Sequence, residues 1–485
     1  MRRVASTAWI VGLALFASYA FFYQAGGWNQ NSRFALDRAI LEGHTLRIDA
    51  YRLHTGDIAV SNGHYYSDKA PGASLLALAP VAVGRLLSRA VGVDPGSFPG
   101  IAWTSYVATV ATSAVFTVIA ALAVFWITLF WGFSRGAALF SATAYGVATP
   151  AWCYATLFMG HGVTAGCLML AFAAALALEV ADEPQQNGLA WTVGLAAGWA
   201  VVTEFPAAVP VLFITLLVWM NVRKYSRAAA VSTLLRVCLG GGLAAVVLMG
   251  YHFAAFGSPF HIGYASEQGF EELHTGFFGI TTPEWWRVRE ILIGRYRGLL
   301  PLAPLMAVTP IGLWLLARVE GRGRAVFVAT ATAAFYLLLN ASYFYWEGGW
   351  SYGPRQIMPA LPFVALGLAP LWDDGRRLVR GCLIAGWVWG AALTLIAVST
   401  TPQPPGSVKA PMSELLWPAF RDGDLSLNPQ SFVDLRADAD RLRGGTLPHA
   451  AWNLGELIGL KGHASLLPLL FVWVGAAAGL RPRRI

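Results

Sequence analysis

Residues 24–72 read QAGGWNQNSRFALDRAILEGHTLRIDAYRLHTGDIAVSNGHYYSDKAPG. One polar block thus carries Asp37, Asp49, Asp57 and Asp68, one lysine, several arginines and three histidines, directly after a first apolar segment. The remainder of the chain is almost continuously hydrophobic. Carboxylates and cations gathered between membrane segments point to a site rather than a linker, because charge beside a bilayer is costly unless it is used.

Outward from this block, the 485 residues are 56% hydrophobic and 12% charged, with mean hydropathy +0.54. Soluble domains carry about 25% charged residues, so the chain is an all-α polytopic integral membrane protein. The formal charge of +8 sits in short clusters between apolar runs, the pattern of cytoplasmic membrane loops and not of a nucleic-acid binder. Cys153, Cys167, Cys238 and Cys382 show no CxxC spacing and predict neither a disulfide framework nor a zinc site. Arg2 and Arg3 precede an apolar run with no small-residue cleavage site after it, which predicts a retained first helix.

Spans of roughly 20 apolar residues are predicted near 5–24, 101–131, 135–152, 157–180, 188–203, 205–221, 229–250, 297–318, 324–345, 355–372, 381–399 and 464–480. The run 72–92 is apolar enough to cross but contains Arg85 and Arg89. If it lies along the membrane, the clusters MRR, FSR (133–135), NVRKYSR (221–227), ARVEGRGR (317–324), DDGRRLVR (373–380) and RPRRI all face the cytoplasm. That choice gives about twelve spans, both termini inside, and a juxtamembrane helix at 72–92. The polar loops 24–72, 149–161, 203–206, 251–296, 346–355 and 400–463 then share the outer face. Residues 434–445, DLRADADRLRGG, suggest a small amphipathic cap within the last of these.

Among the loop acids, Asp37 lies in a helical pattern and reads as structural, whereas Asp49, between Ile48 and Ala50, can be aimed inward. Asp49 and then Asp68 are the candidate general bases, positioned to take a proton from an acceptor hydroxyl. The run Gly63-His64-Tyr65-Tyr66-Ser67-Asp68-Lys69-Ala70-Pro71-Gly72 sets a cation beside a carboxylate at the membrane surface, stiffened by proline. A lysine there can hold a lipid phosphate as a point charge.

The order of a first span, a helix carrying Arg33 (NQNSRFAL), the SDKAPG turn and a multispan body resembles the GT-C superfamily of polyprenyl-phosphate-sugar glycosyltransferases. Within it the resemblance is to the branch of protein O-mannosyltransferases and aminoarabinose-lipid A transferases. These carry an Asp-Glu-x-Arg-like motif in the first loop and an (E/H)-(K/P)-P-P-L-like turn at its end. The resemblance implies that Lys69 binds phosphate and that Asp68 fills the acidic position. It departs at Asn29-Gln30-Asn31, which stands where the acidic pair belongs.

Further residues are expected around the same face. Glu204, in TEFP, carries a charge that costs roughly 2.5–3.5 kcal/mol at membrane depth unless it faces a cavity or partner. The resembling families carry a lysine in that context. His161 at the outer end of a helix is a candidate for a sugar or a metal. Arg295, Arg297 and Arg355 offer guanidinium forks for a phosphate leaving group. Trp350 and Tyr352, with Arg33, His64 and Tyr66, are candidates for acceptor or sugar contacts. No phosphate-cradling GxxxxGK[ST], GxSxG or HExxH pattern occurs, so an activated lipid donor must supply the energy of transfer.

The expectation is therefore a membrane glycosyltransferase of the bacterial inner membrane. It would use a polyprenyl-phosphate sugar and an extracytoplasmic glycan, lipid or protein acceptor, with membrane lipids as partners, no nucleic acid, and the need for a divalent metal left open. Residues 1–222 would form the catalytic module, 223–399 a variable membrane module, 400–463 an outer loop or cap, and 464–485 a last helix with a basic tail. A transporter or flippase of a lipid-linked or anionic substrate is the competing reading, although no two similar halves are visible. A non-catalytic envelope-polysaccharide assembly protein is the third.

Overall fold

The computed structural model describes residues 2–428, 431–432 and 450–481. Residues 434–445 and the RPRRI tail beyond Arg481 lie outside these. The long helices are α1 (Arg2–Ala20), α2 (Trp28–Gly43), α3 (Gly72–Ala90), α4 (Phe98–Phe130), α5 (Arg135–Val147), α6 (Gly160–Ala177) and α7 (Glu183–Thr203). They continue as α8 (Ala208–Val222), α9 (Arg227–Phe256), α10 (Trp285–Ile293), α11 (Thr309–Ala317), α12 (Gly323–Ser342), α13 (Arg377–Thr400) and α14 (Leu467–Leu480). Among the described residues, four short strands, β1 (Phe22–Tyr23), β2 (Ile58–Ser61), β3 (His64–Ser67) and β4 (Trp452–Asn453), form two antiparallel pairs, β1–β4 and β2–β3.

Eight helices among the described residues are long and apolar enough to cross a membrane. The expected spans 297–318 and 355–372 are instead broken, into pieces such as Leu299–Leu302, Pro304–Ala307 and α11, and Arg355–Ala360, Leu361–Ala365 and Leu368–Asp373. Prolines recur through both (Pro301, Pro304, Pro310; Pro359, Pro362, Pro370), and each removes a backbone donor and clashes with the preceding turn. Elsewhere, small residues bring helices together. Gly194 and Gly198 on α7 face Gly240 and Ala244 on α9, an i,i+4 pairing in which a Cβ at Gly194 or Gly198 would collide with the partner helix.

Helix α3 satisfies the span criterion, yet it runs beside α2 of the polar block. Ser74 Oγ in its first turn donates to Arg33 O at 2.9 Å, and Arg85 pairs with Glu42 at the end of α2 at 2.5 Å. Helix α3 thus meets the polar block near both of its ends.

The two ends of the bundle differ in charge. At one end Ser134 N donates to Asp373 at 2.6 Å, Arg135 to Leu480 O at 3.2 Å, Arg322 to Trp131 O, and Arg380 to Trp372 O at 2.7 Å. The clusters near 133–135, 318–324 and 373–380 are thus neighbours. The polar loops 24–72, 251–296, 346–355 and 400–428 meet at the other end.

Candidate active site

The first loop is folded by its own signals. Asn62 and Gly63, both at positive φ (51° and 77°), make the two-residue turn joining β2 to β3. The inner face of this hairpin, with Ala59 and Tyr66, packs with Leu36 and Ala39 of α2 against Tyr251, Ala255 and Phe256 at the end of α9. Before β2, Thr55 Oγ1 donates to Trp28 O (2.7 Å) and accepts from Asp57 N (3.0 Å), which sets Asp57 at the strand's entry. After β3, Arg33 of α2 donates to Ala70 O (2.8 Å) and so fixes the turn that carries Asp68 and Lys69.

The centre of the site is Lys69. Its Nζ lies 2.7 Å from Asp68 Oδ2 and 2.8 Å from Asp57 Oδ2, and 5.5 Å from the centre of the Tyr264 ring. Burial alone would lower the lysine's pKa, but the two carboxylates outweigh it and hold the ammonium firmly charged. Asp68 is 1% exposed, and burial pushes its carboxyl up to about 6 against the opposing pull of Lys69, with Asp57 adding to the rise. Ser32 Oγ also faces Asp68 Oδ1, at 3.4 Å.

A third carboxylate reaches this cluster from a distant loop. Glu267 forms a backbone bridge with Ala59, Gln268 N donates to Ile58 O at 3.0 Å, and Gly263 closes on the backbone of Asp68. Glu267 is 3% exposed; its Oε2 accepts from Phe270 N at 3.2 Å and its Oε1 is buried without a partner among the described residues. Burial, reinforced by the charges of Asp68 and Asp57, raises this carboxyl to about 7. Asp57, Glu267 and Tyr264 are the residues that sequence reading did not select. The segment SEQG around Glu267 carries no motif that would have found it.

Two further groups border the centre. His161 Nδ1 lies 2.6 Å from Glu204 Oε1, so the glutamate has a partner, which sequence reading did not name. The start of α6 that carries His161 is held by Ser113 Oγ donating to Met159 O (3.1 Å) from the π-helical turn Val110–Ala114 inside α4. The charges of Lys69, Asp68, Arg33 and Glu204 all act on Tyr264, and those of Lys69, Asp68 and Arg355 on Tyr343, so these residues share one electrostatic environment. The Arg355 guanidinium stands 5.8 Å from the Tyr345 ring centre and makes no hydrogen bond or ion pair among the described residues. No group of three His, Cys, Asp or Glu side chains among them is arranged to hold a metal ion.

Other expected residues are placed differently. Arg297 is fully buried, and its donors are spent on Glu347 O (3.0 Å) and Gly349 O (2.6 Å), with Tyr296 O at 3.4 Å. It clamps the glycine-rich loop that leads to Arg355 and leaves no fork for a phosphate. Arg295 is exposed and Trp350 half-buried. Tyr352 is buried in the main core, and Tyr66 lies against Phe256 with ring centres 5.4 Å apart, so neither ring offers a free face to a sugar.

Asp49 is not aimed inward. It opens the 3₁₀ turn Asp49–His54, where Oδ1 accepts from Tyr65 N (2.7 Å) and Oδ2 pairs with His64 (2.8 Å), with 42% of its side chain exposed. Burial would raise its pKa slightly, but the Tyr65 N–H and His64 outweigh it and hold the carboxyl below its usual range. Asp49 and His64 thus stitch the hairpin together. Asp49→Asn should change any transfer rate by less than about threefold and cost about 1 kcal/mol or less. Thermal melts beside activity measurements would check this, and a large loss of activity in a normally stable variant would restore Asp49 to the site.

Where an acidic pair was expected, amides join the first loop to the late one. Gln30 Nε2 donates to Gln403 Oε1 (2.9 Å), and Asn31 Nδ2 donates to His54 O (2.5 Å) and Ser431 O (2.8 Å). Phe34 stacks edge-on to Phe432 at 5.1 Å. These are neutral contacts that close the outer loops over one another, a task for which carboxylates would need counter-charges.

A scan against protein-family models and a comparison with curated proteins gave no match. Solved structures do share the architecture. ArnT from Cupriavidus metallidurans in the apo state aligns with a TM-score of 0.51 and 17% identity over 96% of this chain and 74% of that one. The same protein bound to undecaprenyl phosphate gives 0.53 and 17% over 98% and 76%. The archaeal oligosaccharyltransferase AglB from Archaeoglobus fulgidus, in complex with an inhibitory peptide and a dolichol-phosphate, reaches 0.46 at 12% identity over 89% and 60%, too distant to bear on the fold. At 17% identity the likeness to ArnT speaks for architecture alone: the chain is a polytopic α-helical membrane protein that shares the fold of ArnT.

Proposed function

We propose that the protein is a membrane glycosyltransferase that moves a sugar from a polyprenyl-phosphate donor to a hydroxyl of a glycan, lipid or protein acceptor outside the cytoplasm. The observation that carries this reading is Lys69, held between two carboxylates at the mouth of α3, with the uncommitted Arg355 on the same face. The basic clusters at the opposite end favour the cytoplasm by the positive-inside rule, which supports a position for Lys69 on the far side of a bacterial inner membrane. The neighbouring fold of ArnT, solved with undecaprenyl phosphate, supports the choice of donor.

In this mechanism Asp57 is the base. Its side chain keeps 10% exposure while that of Asp68 is 1% exposed, so only Asp57 is within an acceptor's reach. Asp57 takes the acceptor's proton, and the oxygen attacks the anomeric carbon from the face opposite the phosphate. The carbon–oxygen bond to phosphate breaks with its electron pair left on the phosphate. Lys69 and Arg355 stabilise that charge, and the configuration inverts. Asp68 orients Lys69, and Glu267, neutral over part of the working range, offers its carboxyl to a sugar hydroxyl. A test is to reconstitute the protein with a panel of synthetic polyprenyl-phosphate hexoses and pentoses and measure release of polyprenyl phosphate. Arg355→Ala should raise the donor KM about tenfold or more. Failure of every donor to be consumed, with ArnT active beside it, would sink the proposal.

Glu267 gives a separate expectation for stability. Its folded-state pKa lies above the ordinary value of 4.5, at about 7, so the native state binds the proton more tightly than the unfolded chain does. Stability therefore falls as pH rises from about 4.5 to 7, and the full penalty stands above that. Glu267→Gln should stabilise the protein by about 1–3 kcal/mol at pH 8 and by little at pH 4.5. Melting temperatures of both proteins across that range would show it, and a pH-independent difference would contradict it.

A further inference from the structure

A second polar concavity lies at the end of the molecule away from Lys69. Three helices connect the two places. Helix α6 (Gly160–Ala177) carries His161 at its start and is followed by Glu179, α8 (Ala208–Val222) comes after Glu204 and is followed by Arg223 and Lys224, and α12 (Gly323–Ser342) carries Arg324 at its start and is followed by Tyr343. An 18-residue helix such as α6 spans about 27 Å. At the far end their termini border a half-open cavity of about 420 Å³ lined by Glu179, Met220, Asn221, Arg223, Lys224 and Arg324.

Its charge is unbalanced. Three cations and one carboxylate face the space, and none of Arg223, Lys224 and Arg324 makes an ion pair or a hydrogen bond among the described residues. Aromatic rings hold two of them in place, with the Arg223 guanidinium 4.6 Å from the Trp219 ring centre and Lys224 Nζ 5.8 Å from that of Tyr225. Asn221 is anchored by donating to Ala175 O at 3.0 Å. Like charges gathered round one cavity repel unless an anion joins them. From its rim, Trp219, Leu216 and Leu212 continue down α8 at i, i−3 and i−7 as an exposed apolar stripe, which suits an acyl chain below an anionic head.

We propose that this cavity binds the phosphate headgroup of an anionic membrane lipid, the phosphate on Arg223, Lys224 and Arg324 and the acyl chain along α8. The site is independent of the transfer reaction and stands whether or not that reading survives.

The test is native mass spectrometry of the full-length protein released from micelles supplied with phosphatidylglycerol or phosphatidylcholine. Wild type should retain phosphatidylglycerol in preference, and the combined variant R223A/K224A/R324A should lose that retention by about tenfold or more. R376A/R377A, which removes charge from the same end but outside the cavity, should keep it. Glu179→Gln, which removes the one opposing charge, should increase it, and this arm decides the matter if the triple variant does not fold. Equal retention by wild type and the triple variant, equal loss in R376A/R377A, or no gain in Glu179→Gln would each overturn the site. Displacement of the lipid by millimolar inorganic phosphate would overturn the lipid assignment in favour of free phosphate.

Discussion

Lys69→Ala is expected to lower the rate of sugar transfer by about 10²–10³-fold, the usual effect of removing one preorganised group that meets charge developing in the transition state. The loss should appear in kcat as well as in donor KM, because the phosphate gains charge as the anomeric bond breaks. The substitution also leaves Asp68 buried with its cation gone. Breaking a buried pair costs about 3–5 kcal/mol when the remaining charge has no outlet. Here the outlet is a proton, since Asp68 is already raised to about 6 with Lys69 in place and must rise further without it. Lys69→Ala should therefore be less destabilised at pH 5 than at pH 8. Lys69→Arg, which keeps the charge, should recover the fold and part of the rate. Transfer within tenfold of wild type by a folded Lys69→Ala protein would remove Lys69 from the mechanism.

The second large effect is expected at Asp57. Asp57→Asn should cost about 10²–10⁴-fold in kcat, the range for a lost general base, with no rise in donor KM, because one anion competing for Lys69 is gone. Lys69 keeps its 2.7 Å contact with Asp68 in this variant, so folding should be close to normal. Asp68→Asn differs in kind: it alters a side chain that also meets Ser32, and it should lower activity by misplacing Lys69, with a change in donor KM. A nearly active Asp57→Asn beside an inactive Asp68→Asn would transfer the role of base to Asp68.

Much of this architecture is legible in the residues, because it rests on burial and charge. Apolar run lengths predict the long helices, and the basic clusters predict which loops share an end. The SDKAPG turn marks Lys69 without any knowledge of its surroundings. Two local signals point to features that the apolar run lengths alone do not show. Ser61-Asn62-Gly63-His64 is a hairpin signal, and the prolines at 301, 304 and 310 forecast a broken span. Choosing Asp57 over Asp49 needs more than local pattern. Both flank short apolar stretches, and they part only because one stands at the entry to β2 beside Lys69 while the other is drawn outward by Tyr65 and His64. Glu267 is brought to this cluster by a bridge to Ala59 across more than 200 residues, which no spacing rule encodes. Arg297 has the composition of a phosphate ligand, but its loop has carbonyls to satisfy and takes it for that purpose.

Lys69 cannot grip a third anion without slackening its hold on the two it already shares. Under the proposed mechanism, a donor phosphate arriving at Nζ would draw the ammonium away from Asp57 and leave that carboxylate free of its ion pair. If transfer proceeds as proposed, the shared ammonium would act as an interlock: seating the lipid would release the Asp57 carboxylate to meet the acceptor's hydroxyl, so that the acceptor gains by arriving second. Initial-rate kinetics should accordingly show a compulsory order with the lipid first.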